Sequence, residues 1–318
     1  MPALSVTAPD GVPEVHTGDD LADLLLPHVE LADGDVVVVT SKVVSKAEGR
    51  VVTGDREDWI TAESTRLVAR RGPTRIVRNR LGLTMAAAGV DASNVAVGTV
   101  VLLPEDPDGS AARLRAAIAA RTGHNVGVIV TDTAGRAWRE GQTDIAVGAA
   151  GLVVLESFEG RVDAHGNELA VTAPAVADEI ASVAELAQGK LGGRPFAVVR
   201  GRSDLVLPPD DDGPGAGALV RAEGADLFGY GAREAVVRAL VGDPADAAPF
   251  GAPVSAEELV GLLAVLGVTA EVSAAEDPPE VRCRTDRTVA VEVLAFAHGW
   301  SVERLAGDTD HRLHPAST

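Results

Sequence analysis

The chain has 318 residues, enough for one large domain with an appendage or for two domains. Its 47 acidic residues against 28 basic ones give a formal charge of -19, which argues against nucleic acid as a partner. An apolar content of 46% with only 3% aromatics calls for a core of Val, Leu, Ile and Ala, and the single cysteine, Cys283, excludes an intramolecular disulfide framework or a cysteine-rich zinc site.

No basic segment followed by an apolar run opens the chain, and no 18-residue apolar stretch occurs in it, so a cytoplasmic protein without a membrane partner is expected. A surface this negative repels phosphate-rich molecules at long range. A site for one needs local cations or bound metal to reverse the field.

In chain order, Asp19 to Leu31 carries an apolar stripe broken by Pro27, which predicts a short or kinked helix. DGDVVVVTSKVV, residues 33–44, reads as a strand buried on both faces. Residues 56–71 read as a charged helix and 95–104 as a strand. SAARLRAAIAARTG predicts a helix closed by Gly123 and leading into the strand NVGVIVTD. Residues 148–160 read as a strand and PAVADEIASVAELAQGK as the surest helix, with Pro174 near its start. PFAVVRG is one more buried strand, and LPPDDDGPGAG, 207–217, predicts a flexible acidic loop, either a lid or a linker. After Asp243 a Pro- and Ala-rich joint leads to SAEELVGLLAVLG, a helix with capping-box spacing at Ser255 and Glu258, and a further helix is expected over 285–298.

Two of these strands end in polar groups, where layered α/β sheets bind ligands. After the first, Ser41 and Lys46 can hold nucleotide phosphates through a hydroxyl donor and a point charge, or form a surface loop. After the second, Asp132 is a hard oxygen ligand with Thr133 beside it, a set that suits Mg2+ or Mn2+ better than zinc, unless Asp132 merely caps a turn. GRAWREGQTD follows, offering Arg136, Arg139 and Gln142 as donors in what reads as a loop. In AAAGVDASNV, Asp91 and Asn94 form a ligand site or a simple Asx turn. His311 and His314 form either a weak chelating pair or part of a frayed tail. Walker, dinucleotide, nucleophile-elbow, zincin and kinase motifs are absent.

Taken together, VVVVTSKVVSKAEGR (36–50), NRLGLTMAAAGVDASNV (79–95), LLPEDPDGSAARLR (102–115), VTDTAGRAWREGQTD (130–144) and GNELAVTAPAVADEIA (166–181) resemble the coenzyme F420-0:γ-glutamyl ligase family. With VPEV (12–15), FAVVRG (196–201) and GADLFGYG (224–231), the resemblance covers about residues 10–240. It implies an α/β (mixed α+β) fold with a central sheet and flanking helices, assigned to residues 1–243, while the change of texture after Asp243 predicts a small, mainly helical extension at 244–318. It implies a homodimeric ligase that adds L-glutamate to coenzyme F420-0, with GTP as co-substrate, two divalent cations (Mg2+ or Mn2+) and K+ as a further candidate cation.

Carried over residue by residue, the resemblance implies nucleotide contacts from Val12, Pro13, Glu14, Val15, Ser41, Lys46 and Asn94, and metal contacts from Asp91, Asp132 and Thr133. Val12 stands where the family usually has leucine. The catalytic candidates are Lys46 and Asp132, with Arg136 and Arg139 to hold the coenzyme's phosphodiester or the incoming glutamate. Some relatives carry a fused nitroreductase-like domain. Residues 244–318 are too short and too poor in aromatics for one, so no flavin is expected. A metal-dependent phosphohydrolase and a non-catalytic deazaflavin-binding protein are the alternatives.

Overall fold

The computed structural model describes residues 3–222, 224–273, 278–305 and 309–316. The chain divides into two compact units, residues 1–66 with 74–220, and residues 67–73 with 221–318. The joint expected at 243 lies within the second unit.

The first unit runs β1 (Ser5–Thr7), α1 (Leu21–Leu25), β2 (Val36–Thr40), α2 (Ser41–Ala47), β3 (Val51–Thr53) and α3 (Arg56–Ala62). The strand β4 (Ser64–Arg71) carries the chain into the second unit and β5 (Thr74–Asn79) brings it back, followed by β6 (Thr84–Ala86), β7 (Thr99–Val101) and α4 (Pro107–Thr122). Then come β8 (Gly127–Arg136), β9 (Arg139–Ala150), α5 (Val176–Gln188) and β10 (Phe196–Arg200). Five strands form one sheet in the order β1-β10-β2-β8-β9, in which only β2 and β8 are parallel.

The valine run of β2 shows why this sheet needs a layer on each side. Val37 and Val39 point into one core with Val128, Val130, Phe196 and the α4 residues Ala111, Leu114 and Ile118. Val36 and Val38 point into the other with Ile129, Ala197, Val199 and the α5 residues Val176, Ala177, Ile180 and Ala184. Alternation along a strand with both faces apolar therefore yields a helix–sheet–helix stack. Mixed α/β architecture is as expected.

Several boundaries differ from the sequence reading. The strand starting at Asp33 stops at Thr40, and SKVVSKA folds as α2, where Val44 is buried as a helical residue. The charged helix ends at Ala62; from Ser64 the burial alternates, which is strand periodicity. The strand expected over 95–104 shortens to Thr99–Val101. GRAWREGQTD is the turn and outgoing arm of the long β8–β9 hairpin, and the strand expected at 148–160 is instead the end of β9, stopping at Ala150. Gly151 lies at φ 65°, and a Cβ there would meet the Arg115 guanidinium at 2.1 Å.

The acidic 207–217 segment is fastened down. Arg115, buried on α4, donates to the carbonyls of Leu207 (3.3 Å), Pro208 (2.7 Å) and Asp211 (2.9 Å) and to the Asp212 carboxylate (2.7 Å). Asp108, also on α4, accepts from the backbone N–H groups of Ala216 (2.7 Å) and Ala149 (2.8 Å).

The second unit contains α6 (Ala232–Val241), α7 (Ala256–Val265), β11 (Ala270–Ser273), β12 (Glu280–Arg284), α8 (Thr288–Ala297), β13 (Trp300–Arg304) and β14 (Asp310–Pro315). α7 and α8 lie where helices are expected, whereas α6, closed by Gly242 in the left-handed conformation, is an additional helix. The segment expected to be mainly helical also carries a four-stranded antiparallel sheet, β11-β12-β14-β13. Leu259, Leu263, Val291 and Ala295 of the helices pack on Val281, Cys283, Trp300 and Leu313 of the strands. Each strand is short and half polar, which hides it from a search for apolar runs. His311 is buried in β14 with its ring nitrogens near Thr309 O and Thr288 Oγ1, so it belongs neither to a frayed tail nor to a chelating pair with His314.

Two outcomes follow from this packing. A Cβ on Gly148 would lie 2.4 Å from the Pro107 backbone, so Gly148→Ala should lower stability by about 2 kcal/mol, visible in thermal or urea unfolding. Burial pushes the Cys283 thiol pKa up, so its alkylation near pH 8 should be slow in the native protein and fast in urea.

Candidate active site

The parallel pairing of β2 with β8 sets the register Thr40↔Thr131. The next residue on each strand is therefore a neighbour of the other, and Ser41 Oγ donates to Asp132 Oδ1 at 3.2 Å. Both polar strand ends picked out in the sequence thus converge at one edge of the sheet, at the carboxyl ends of its two parallel strands.

Asp132 is half-buried and accepts from the Ser41 hydroxyl and the Thr133 N–H. Loss of water pushes its carboxyl pKa up. The two hydrogen bonds pull it down, and the nearby carboxylates of Asp144 and Asp91 push it up again, to about 7. Among the described residues no lysine or arginine forms an ion pair with it.

Asp91 sits in an Asx turn, accepting from Ser93 N (2.9 Å) and Ser93 Oγ (2.8 Å). Lys42 reaches across from α2 to its other side at 2.5 Å and also donates to Ser93. Burial alone would raise the Asp91 pKa, but Lys42 and Ser93 together hold it below the usual carboxylate range. Asn94 follows at φ 57°, exposed. The backbone leading into the turn is unusual, with Ala87 and Ala88 both left-handed at φ 53° and 56°. Buried Asn79 supports this bend, donating to the Ala88 carbonyl at 3.4 Å.

Lys46, largely buried on α2, is ion-paired with Glu14, and Gly18 N donates to Ala47 O at 2.8 Å. These contacts bring the Val12–Val15 segment against α2, with Val15 buried and Pro13 and Glu14 exposed.

Thr133 points away from Asp132, as neighbouring strand residues must. Its hydroxyl donates to Asp144 Oδ1 at 2.6 Å, and Thr131 donates to Asp144 Oδ2 at 3.1 Å. A bulge between Val130 and Thr131 sets this alignment, placing Asp144 opposite Thr133. Lys190 closes the group, donating to Thr133 Oγ1 at 2.5 Å and pairing with Glu185 at 2.6 Å. Lys42, Ser93, Asp144, Glu185 and Lys190 join the site without any local sequence signal. Only the hairpin register and the placement of α5 reveal them.

Arg136 and Arg139 do not join these groups. They face each other across the hairpin tip, both exposed, and Arg136 lies four residues beyond Asp132, roughly 13 Å at strand rise. Among the described residues, no three His, Cys, Asp or Glu side chains gather to hold a metal by themselves. Asp132 and Asp91 are a carboxylate pair that needs donors from elsewhere.

The Asp91 environment has a pH consequence. A lowered carboxyl pKa gives stability that is present above the unfolded value of 3.8 and lost as pH falls through the folded one. Lys42→Met should therefore unfold at lower temperature than wild type at neutral pH, with the gap closing as the pH drops below the usual carboxylate range.

The family model of F420-0:Gamma-glutamyl ligase matches residues 11–58 and 56–201. The coenzyme F420:L-glutamate ligase of Archaeoglobus fulgidus is 42% identical over 214 residues, covering 60% of this chain and 85% of its own length. Those of Natronomonas pharaonis and Methanopyrus kandleri are 40% and 38% identical over 246 and 240 residues, covering 67% and 68% of this chain and 93% of their own lengths. The sites of resemblance in the sequence, the convergence of their residues at one sheet edge and these matches agree: the chain is an enzyme of the F420-0:Gamma-glutamyl ligase family.

Proposed function

We propose that this enzyme joins L-glutamate, through its α-amine, to the carboxylate of coenzyme F420-0, and then adds γ-linked glutamates, at the expense of GTP. The observation that carries the reading is the meeting of Ser41 with Asp132 at the ends of β2 and β8, beside Asp91 and Asp144, in a chain whose relatives are named coenzyme F420:L-glutamate ligases.

An amide does not form from carboxylate and ammonium at neutral pH, so the carboxylate must first be activated. In the proposed sequence a coenzyme carboxylate oxygen takes the γ-phosphoryl group of GTP, and GDP leaves. The glutamate amine then attacks the acyl carbon, phosphate departs and the amine's proton passes to solvent.

Asp91 and Asp132 offer hard oxygen donors for Mg2+ or Mn2+ on one side of β8 and Thr133 a hydroxyl beside Asp144 on the other, and an Asp132 carboxylate with like charges near it and no cationic side chain paired to it fits such an ion. Mg2+ commonly completes its shell with waters and substrate phosphates, which suits a site of so few protein carboxylates. When bound, two such ions supply neutralisation of phosphate charge and alignment of the acceptor. Lys46, with Ser41, Asn94 and the Val12–Val15 segment, holds the nucleotide in this reading; releasing the ammonium from Glu14 lets it meet the phosphates. Arg136 and Arg139, out at the hairpin tip, act on remote parts of the substrate rather than at the reacting carbon. Cytoplasmic location and a homodimer complete the proposal, and K+ is a further candidate ion. Among the described residues no helix is long and apolar enough to cross a membrane.

Purified protein incubated with coenzyme precursor, L-glutamate, GTP and Mn2+ or Mg2+ should yield products heavier by successive glutamate residues in mass spectrometry, and none when nucleotide or metal is omitted. GTP consumption without ligation would indicate a phosphohydrolase, and coenzyme binding without GTP turnover a non-catalytic binding protein. Asp132→Asn should abolish metal-dependent turnover while keeping wild-type thermal stability; an active Asp132→Asn enzyme would sink the assignment.

A further inference from the structure

We infer that the ammonium of Lys190 takes the place of one of the two cations proposed above. The enzyme then carries a single divalent ion, on the Asp91–Asp132 side of β8, and supplies the second positive charge from its own chain. This rests on the metal-dependent reaction proposed above and narrows its cation count.

Of the chain's 28 basic residues three are lysines, and all three belong to segments that meet at this sheet edge: Lys42 and Lys46 on α2, which follows β2, and Lys190 just past α5, which reaches β8. Arginine serves everywhere else, in ion pairs from Arg50–Glu63 to Arg304–Glu292. The two side chains differ in shape. A guanidinium is a planar fork, whereas an ammonium is a compact charge that sits among oxygens much as a bound ion does.

Asp132 and Thr133 are neighbours on β8 and point to opposite sides of it. On its side, Asp132 accepts from Ser41 Oγ and has no lysine or arginine paired to it among the described residues, so it fits a divalent ion. The Thr133 side does not fit a second one. Thr133 gives its hydroxyl proton to Asp144 Oδ1 at 2.6 Å, and Lys190 donates to the same hydroxyl oxygen at 2.5 Å. That oxygen therefore already faces a cation. Glu185 Oε1 lies 2.6 Å and Asp144 Oδ1 3.6 Å from the Lys190 nitrogen, completing a set of hydroxyl and carboxylate oxygens of the kind a hard cation takes.

The oxygens around this ammonium are themselves held in place. Asp144 is buried, with Thr131 donating to its second oxygen at 3.1 Å. Its N–H donates to Glu185 Oε2 at 3.2 Å, and its carbonyl accepts from Ser182 Oγ at 2.9 Å, which fastens α5 to β9 at this level. Gly189, at φ 64°, ends α5 and lets Lys190 turn back to β8. A divalent ion beside Lys190 would meet like charge at close range, and one in its place would have to expel it. Lysine is also an ordinary phosphate partner, acting as a point charge. With 60% of its side chain exposed, Lys190 can be reached by a phosphate from solvent while the carboxylates hold it from behind.

Native mass spectrometry of the protein with a non-hydrolysable GTP analogue and Mn2+ counts the ions directly. Wild type should carry one Mn2+ per chain. Lys190→Gln, which removes the charge from the oxygen set, and Lys190→Glu, which adds an oxygen ligand to it, should each carry two, with spin–spin broadening of the Mn2+ EPR signal in these variants alone. Given coenzyme precursor, L-glutamate and GTP, Lys190→Gln should turn over about a hundred-fold more slowly than wild type at limiting Mn2+, the scale of one lost group facing the transition state, and recover as Mn2+ is raised. A lysine with only a structural role would leave a defect that Mn2+ does not repair. Two Mn2+ in wild type, or one in wild type and variants alike, would overturn the assignment while leaving the ligase intact. One in wild type and two in the variants, with a coenzyme that is never extended, would overturn the ligase reading and leave the cation count. No bound Mn2+ in wild type would overturn the cation assignment together with the metal-dependent reaction it rests on.

Discussion

The parallel pairing of β2 and β8 is the constraint on which the rest of the site depends. Because Thr40 lies opposite Thr131, the chain leaves both strands at the same level, and Ser41 has no choice but to meet Asp132. A slip of one residue would reverse every side chain of β8, sending Asp132 to the Asp144 face and Val128 and Val130 to the opposite core. The valine run therefore does two jobs. Filling both cores fixes the register, and the register places the chemistry.

Charge is distributed around this edge with a clear logic. Lys42 takes Asp91, Lys46 takes Glu14, and Lys190 takes Glu185 and lies 3.6 Å from Asp144. The first two pairs leave little net field of their own, while Lys190 is shared between two carboxylates. Asp132, between these groups, is left without a lysine or arginine among the described residues, and the protein tolerates it by holding its proton to about pH 7. Asp144 shares its lysine with Glu185 and Asp132 has none, and carboxylates left under-neutralised in this way cost stability that proteins retain chiefly where a ligand later meets it.

How much of this could be read from the sequence depended on whether the signal was local. The β2 run, α4 with its Gly123 cap, α5 and α7 with its Ser255 cap were legible because periodicity and capping are properties of neighbouring residues. Ser41, Lys46 and Asp132 were legible because polar residues follow apolar strands at those points, and Asp91 because AAAGVDASNV carries turn chemistry. The switch to helix at Ser41 was not, since Val43 and Val44 look like more strand until tertiary packing assigns them to a helix face. Asp144 and Lys190 gave no local sign either. Asp144 matters because a bulge sets it opposite Thr133, and Lys190 because α5 ends near that pair. The second unit's sheet escaped notice for the same reason: its strands are amphipathic and short, so their pairing is written in contacts thirty residues apart, Val281 with Leu313 for example.

The acidic strap after β10 shows how the same helix can serve core and rim. Three consecutive aspartates at 210–212 would repel one another and swing free in a chain this negative. Arg115 prevents this from below, spending its guanidinium on four backbone carbonyls, the Asn125 amide oxygen and one carboxylate, an arrangement that satisfies a buried charge in all directions. Asp108, two turns earlier on α4, gathers N–H groups from β9 and from the strap's far end. One face of α4 packs Ala111, Leu114 and Ile118 into the core while these two charged residues tie down the strap. Loosening the helix in the core must then loosen the strap as well, so its order is set by the same hydrophobic packing that fixes β2 against β8.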